Sequence, residues 1–182
     1  MQNKNELRKF AKELRQNLDR EKISARILQI FLETDFYKKA TNIAIYYPFQ
    51  DEFDFTQLLN NNEKNWFLPK ITNDNNLSFH KYSSKDILTP NKYGILEPQT
   101  QIADPQKLDL IIMPALVTDK RGYRIGYGKG YYDNFLTQNS INCTKLIFIA
   151  EELVVEKIEN DFWDIRANAI ITQKNLYVFD EL

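Results

Sequence analysis

The chain has 182 residues, 43% of them hydrophobic, which suffices for one sizeable core and is most simply a single domain over residues 1–182. Lysine and arginine (24) nearly balance aspartate and glutamate (25), and the resulting pI of about 5.9 argues against bulk nucleic-acid affinity. Cys143 and His80 are the only residues of their kinds, so disulfides, thiolate zinc sites and multi-histidine metal sites are excluded, and any cation must be held by carboxylates, carbonyls, water or a substrate phosphate, which favours magnesium. No apolar run approaches the roughly 18–20 residues of a membrane span and the amino terminus lacks a secretory pattern, so a cytoplasmic protein without membrane contact is expected.

Leu7, Phe10, Ala11, Leu14 and Leu18 recur at helical spacing, predicting an amphipathic helix over residues 4–18 with Lys4, Arg8, Lys12 and Arg15 on its wetter side. A second helix is expected from Asp19 to Glu33, burying Ile23, Ile27, Ile30 and Phe31. Asn42–Tyr47 reads as the first strand, ended by Pro48, and Asp54 is placed to cap a short helix through Leu59. The acids Asp51, Glu52 and Asp54 between them fit either a solvated turn or a site. Trp66–Pro69 and Leu77–Tyr82 read as further strands, with His80 structural because no nucleophile stands near it at a recognisable spacing.

Leu108–Met113 is a continuous apolar run of the buried-strand type, ended by Pro114. After it come four of the five glycines, Gly122, Gly126, Gly128 and Gly130, together with Lys120, Arg121, Arg124 and Lys129 against Asp119 and Asp133. Such a loop is either a tight connection or a phosphate cradle, in which bare N–H groups and cations converge. It is neither of two familiar phosphate motifs. Tyr123 stands where a Walker A loop needs its first glycine, Gly130 stands where it needs Ser or Thr, and the spacing also breaks the dinucleotide fingerprint. A helix starting at Tyr131 would point its free N–H groups back at the loop. Lys145–Ala150 and Ala169–Thr172 are expected as buried strands, with Asn175–Phe179 as a final edge strand. Strands alternating with helices predict an α/β fold, a three-layer α/β/α sandwich around a mostly parallel sheet.

The segment Arg124-Ile-Gly-Tyr-Gly-Lys-Gly-Tyr-Tyr-Asp133, preceded by Asp109-Leu-Ile-Ile-Met-Pro114, resembles the signature of the 5-formyltetrahydrofolate cyclo-ligase (5,10-methenyltetrahydrofolate synthetase) family, Arg-Leu-Gly-x-Gly-x-Gly-Tyr-Tyr-Asp. The resemblance implies the family's three-layer fold and an enzyme that takes ATP, magnesium and 5-formyltetrahydrofolate, with no nucleic-acid partner; a monomer is expected. It implies that Lys4 and Arg8, matching an early Lys-x-x-x-Arg, reach ATP together with Arg124, Gly126, Gly128, Lys129, Gly130, Tyr131 and Tyr132. Glu52 matches the family's pterin-binding carboxylate, with Asp51 as the neighbouring rival, and Tyr127, Gly128, Lys129, Gly130 and Tyr131 are expected beside the folate. Tyr93-Gly-Ile-Leu-Glu-Pro98 resembles the family's Gly-Ile-x-Glu-Pro; Tyr93 either packs in the core, which is the expectation, or offers its face to the folate. Asp164 matches the first acid of an Asp-x-x-x-Asp before the last strand, whose second acid is Asn168 here, and Asp133 and Asp164 are assigned to magnesium.

Lys129 and Arg124 are the expected catalytic cations in an ATP-dependent ring closure that releases ADP and phosphate. The competing reading is an RNA-binding module, because Arg121–Tyr132 interleaves aromatics with cations, although Arg124 breaks the RNP1 pattern. Another phosphate-binding enzyme of similar architecture is the further alternative.

Overall fold

A computed structural model of the chain describes residues 3–72 and 76–179. Three helices come first: α1 (Lys4–Arg15), α2 (Arg20–Glu33) and α3 (Asp35–Lys39). Strands β1 (Asn42–Ile45), β2 (Asn65–Ile71), β3 (Leu77–Tyr82), β4 (Leu88–Pro90), β5 (Leu96–Pro98), β6 (Leu110–Met113), β7 (Val117–Asp119) and β8 (Arg124–Ile125) follow. Helix α4 (Tyr131–Asn139) then leads to β9 (Thr144–Phe148), β10 (Val154–Val155), β11 (Ala169–Ile171) and β12 (Leu176–Val178).

The main sheet has seven strands in the order β12-β11-β9-β6-β1-β2-β3. Its five central strands run parallel and each edge strand is antiparallel to its neighbour. Parallel strands are covered on both faces, which is why Leu110–Met113 is buried at every position rather than at alternate ones. The register identifies the two covering layers. Ile45, Ile112, Leu146 and Phe148 share one face, and there Phe148 meets Phe31 of α2 with ring centroids 4.8 Å apart. Phe79 lies on the opposite face and packs edge-on against Phe135 of α4 at 5.0 Å. The sheet is therefore sandwiched between helices, as the alternating pattern predicts.

Chain order fixes where a ligand can enter. From β1 the chain steps outward to β2 and β3, then returns to β6 on the other side of β1 and proceeds to β9, β11 and β12. The crevice beyond the carboxyl ends of β1 and β6 is thus the switch point of the sheet, where open α/β sheets take their ligands. Tyr46–Glu52 and Pro114–Ala115 leave the two strands at this point.

The structure departs from the sequence expectations in several places. The stretch after Pro114 is not a simple loop: β7, β8 and β10 form a separate three-stranded sheet. Buried Asp119 organises its hairpin by accepting hydrogen bonds from the Arg121 side chain and from the backbone N–H groups of Tyr123 and Ile158. Gly122 serves that hairpin, with φ +93° and a Cβ position 2.9 Å from the Phe179 ring, so it belongs to packing and not to the phosphate cradle. Lys120 pairs with Glu156 and Arg121 with Asp119, so neither contributes its charge to a ligand site. On α1 the buried stripe is Leu7, Ala11 and Arg15, whereas Phe10 is exposed; Arg15, expected on the wet side, is enclosed by protein.

Candidate active site

A cavity of about 510 Å³ opens at the switch point, and every residue expected at the site from sequence lines it. Its walls come from α1, the turn after β1, the ends of β2 and β3, the β5 segment, the glycine loop with the start of α4, and the loop before β11. No sequence-local signal unites these pieces; the topology of the sheet does.

One side of the cavity is cationic. Lys4 and Arg8 lie one turn apart on α1, whose start is fixed by a capping box between Asn3 and Glu6. Arg8 donates through Nε to the Gly126 carbonyl at 3.0 Å, tying the helix to the glycine loop. Its guanidinium also passes 3.3 Å from where a Cβ on Gly128 would stand, and Gly128 has φ +93°, a conformation that favours glycine. Arg124 is enclosed, with one nitrogen 3.1 Å from Asp133 Oδ2 and another donating to the Ile165 carbonyl at 3.0 Å. Lys129 is exposed and, among the described residues, has no ion-pair or hydrogen-bond partner. Helix α4 begins after Gly130, which supplies no side-chain cap, leaving its first N–H groups to face the cavity.

Acids flank these cations. Lys4 Nζ lies 2.7 Å from Asp161 and 3.0 Å from Asp164, which was expected, whereas Asp161 was not. Partial burial lowers the proton affinity of Lys4, but the bonds to Asp161 and Asp164 outweigh it and leave its pKa above the ordinary value. Asp133 also accepts the Ile165 N–H at 3.0 Å, so the glycine-loop helix and the 161–165 loop are joined through its carboxylate. Among the described residues, no three or more His, Cys, Asp or Glu side chains converge as a ready-made metal nest. Asn168 lies outside the cavity, and its amide oxygen accepts the Lys145 N–H near the start of β9.

The opposite side is largely apolar with two carboxyls, Glu52 and the buried Glu97, which accepts the Ile71 N–H at 2.9 Å and an Asn91 amide N–H at 2.6 Å. Pro69 and Ile71 at the end of β2, Leu77 at the start of β3 and Ile95 form a flat wall that sequence reading did not anticipate. Tyr93, expected to pack in the core, is instead 42% exposed at the rim of the cavity. Glu52 folds back over its own turn to accept the Phe49 N–H at 2.9 Å. Burial pushes its pKa from the ordinary 4.5 to about 7, against the opposing pull of that N–H and of the Arg15 charge. Asp51 does not line the cavity but accepts the Tyr127 hydroxyl at 3.3 Å, which ties the turn to the glycine loop. Of the two adjacent acids, Glu52 lines the cavity and Asp51 does not. Tyr131 and Tyr132 divide as follows: Tyr132 packs against Phe79 and burial pushes its hydroxyl pKa up, while Tyr131 lines the cavity with its hydroxyl buried beside Tyr93, its pKa also raised by burial.

Comparison with known proteins adds a second line of observation. The profile described as the 5-formyltetrahydrofolate cyclo-ligase family matches residues 1–173. A 5-formyltetrahydrofolate cyclo-ligase from Haemophilus influenzae is 30% identical over 141 residues, spanning 70% of this chain and 73% of the relative. Among solved structures, the Aquifex aeolicus 5,10-methenyltetrahydrofolate synthetase superposes with a TM-score of 0.85 at 32% identity, covering 96% of this chain and 92% of that one. A 5,10-methenyltetrahydrofolate synthetase from Mycoplasma pneumoniae gives a TM-score of 0.76 at 25% identity, over 94% and 99% of the two chains.

Proposed function

This chain belongs to the 5-formyltetrahydrofolate cyclo-ligase family, and we propose that it closes the ring of 5-formyltetrahydrofolate to give 5,10-methenyltetrahydrofolate by transferring the γ-phosphoryl group of ATP to the formyl oxygen. The chemistry demands such a device. An N-formyl group is an amide, and attack by the folate N10 on it would have to expel hydroxide or oxide. Once the formyl oxygen carries a phosphoryl group, attack by N10 and loss of that oxygen release inorganic phosphate instead. ATP and 5-formyltetrahydrofolate thus become ADP, phosphate and the methenyl product, and the protein's task is positioning and charge neutralisation.

The observation that carries this reading is the division of the one cavity. Lys4, Arg8, Arg124, Lys129 and the bare start of α4 suit the nucleotide phosphates, and Gly126, Gly128 and Gly130 let backbone N–H groups approach them. Glu52 and the apolar wall of Pro69, Ile71 and Leu77 suit a flat heterocycle whose ring N–H and amino groups lie side by side. Tyr127 and Tyr131 line the same cavity. Lys129 and Arg124 are the cations assigned to the transferring group.

Magnesium fits as a companion of the nucleotide. It keeps most of its waters and takes one or two carboxylates plus phosphate oxygens, so the absence of a three-acid nest is no obstacle and Asp133 and Asp164 are the candidate donors. When bound it would offset charge on the β- and γ-phosphate oxygens. Both acids already hold a cation assigned to phosphate, Asp133 holding Arg124 and Asp164 holding Lys4, so these pairs keep the cations in place before nucleotide arrives.

The test is direct. Purified protein with ATP, magnesium and 5-formyltetrahydrofolate should generate the near-ultraviolet absorbance of the methenyl product, with one ADP formed per product. Product formed at full rate without nucleotide would overturn the proposal.

A further inference from the structure

Arg15 is the part of this molecule that the reading above leaves unused. It ends α1, is 1% exposed, and lies deeper than Lys4 and Arg8 on the same helix. One guanidinium nitrogen, Nη2, donates to the Ala115 carbonyl, while buried Nε and Nη1 have no hydrogen-bond partner among the described residues. The guanidinium carbon lies 5.3 Å from the centre of the Phe53 ring. Ala115 lines the cavity just beyond β6, and Phe53 directly follows Glu52 in the turn beyond β1. Arg15 is therefore wedged behind both walls of the switch-point crevice without entering it.

A buried guanidinium with two idle donors is costly, and an apolar side chain of similar length would pack there more cheaply. Its charge must act on something nearby. Phe53, on whose ring the guanidinium rests, directly follows Glu52, so Glu52 is the nearest acid along that turn, and the Arg15 charge opposes the effect of burial on its carboxyl. The other groups facing Glu52 do little to help it ionise. Asp51 beside it acts in the opposite sense, and the hydroxyls of Tyr46, Tyr127 and Tyr132 remain neutral in this range, their pKa values pushed up by burial. Lys12, also on α1, sits over the Tyr127 ring, 5.8 Å from its centroid. Two groups favour the ionised carboxylate, the Phe49 N–H first and the Arg15 charge after it, and of these Arg15 is the only charge.

We propose that Arg15 is a positioning residue for folate recognition: from behind the turn, its buried charge keeps Glu52 able to ionise at neutral pH and so sets the pH range in which folate binds. This rests on Glu52 being the pterin carboxylate, because only the ionised form presents both oxygens as acceptors to the two adjacent donors of the pterin edge, without an O–H opposing one of them.

The experiment measures 5-formyltetrahydrofolate affinity from pH 6 to pH 9, without nucleotide, by intrinsic fluorescence. In the unaltered protein, affinity should rise with pH through the neutral range. Arg15→Met and Arg15→Gln should move that profile upward by about one pH unit, so that folate binds about fivefold more weakly at pH 7 and recovers near pH 9. Arg15→Gln keeps a donor for the Ala115 carbonyl and carries the same test if Arg15→Met fails to fold. Arg15→Lys retains the charge and should retain the profile.

Equal weakening at every pH would make Arg15 merely structural and overturn the proposal, as would an unmoved profile in the neutral variants or a shift with Arg15→Lys as large as with Arg15→Met. Glu52→Gln separates the two levels of the argument. If it flattens the pH profile while the neutral Arg15 variants leave theirs unmoved, the pterin assignment stands and the Arg15 inference falls. If Glu52→Gln keeps the original affinity and profile, both fall.

Discussion

Replacing Glu52 by glutamine should make the protein more stable at alkaline pH while impairing folate binding. In the folded chain, burial raises the pKa of this carboxyl from 4.5 to about 7, so between these values the folded state holds a proton that the unfolded state releases. The stability this contributes is complete below about pH 4.5, declines as pH rises, and is lost above about pH 7. A gap of about 2.5 pH units, at about 1.4 kcal/mol each, amounts to roughly 3 kcal/mol. Glutamine is neutral throughout and its amide oxygen can still accept the Phe49 N–H, so it avoids this loss. Thermal unfolding should therefore give nearly equal midpoints for the two proteins at pH 4.5, and at pH 8.5 a midpoint higher by up to about 10 °C for Glu52→Gln. Folate titration of the same variant should show binding weaker by roughly 1.5–3 kcal/mol, because a charged acceptor has been lost. A variant no more stable than the parent at pH 8.5, or stabilised equally at both pH values, would refute the burial argument.

The remaining predictions concern the phosphate side. Lys129→Met removes an exposed, unpartnered charge, so unfolding should change by less than about 0.5 kcal/mol while turnover falls about 10²-fold. Arg124→Met, in contrast, leaves Asp133 without its partner in a largely enclosed pair and should cost about 3 kcal/mol of stability, measured by denaturant unfolding, in addition to activity. Gly126→Ala meets no atom within 4 Å in the free protein, so stability should hold; if backbone there approaches phosphate, ATP affinity in a calorimetric titration should fall at least tenfold. Asp133→Asn should raise the magnesium concentration needed for half-maximal turnover, and a fully active variant with an unchanged magnesium titration would remove Asp133 from that role.

Much of this was legible in the sequence, for identifiable reasons. Continuous apolar runs such as Leu110–Met113 occur because parallel strands are covered on both faces, and the runs are long enough to read. The glycine cluster was conspicuous because glycine is otherwise scarce in this chain. Strands β7, β8 and β10 escaped because two or three residues cannot display a period. Asp161 and Trp163 reach the cavity from an irregular loop whose position depends on contacts with Lys4 and Arg124, which no local pattern reveals. Arg15 was a different kind of miss. Its spacing from Leu7 and Ala11 places it on the buried stripe, but its charge argued for water, and tertiary structure decided in favour of the spacing. Tyr93 reversed that error, being an aromatic expected inside that lies at the rim.

The central claim is that the formyl oxygen leaves on phosphate, and isotope transfer tests it most directly. 5-Formyltetrahydrofolate labelled with ¹⁸O in the formyl group should be converted with unlabelled ATP and magnesium, and the phosphate analysed by mass. The account predicts one ¹⁸O atom in each inorganic phosphate formed, matching the methenyl product mole for mole. Unlabelled phosphate, with the isotope recovered in water, would show that ATP is hydrolysed without activating the formyl group and would contradict the mechanism.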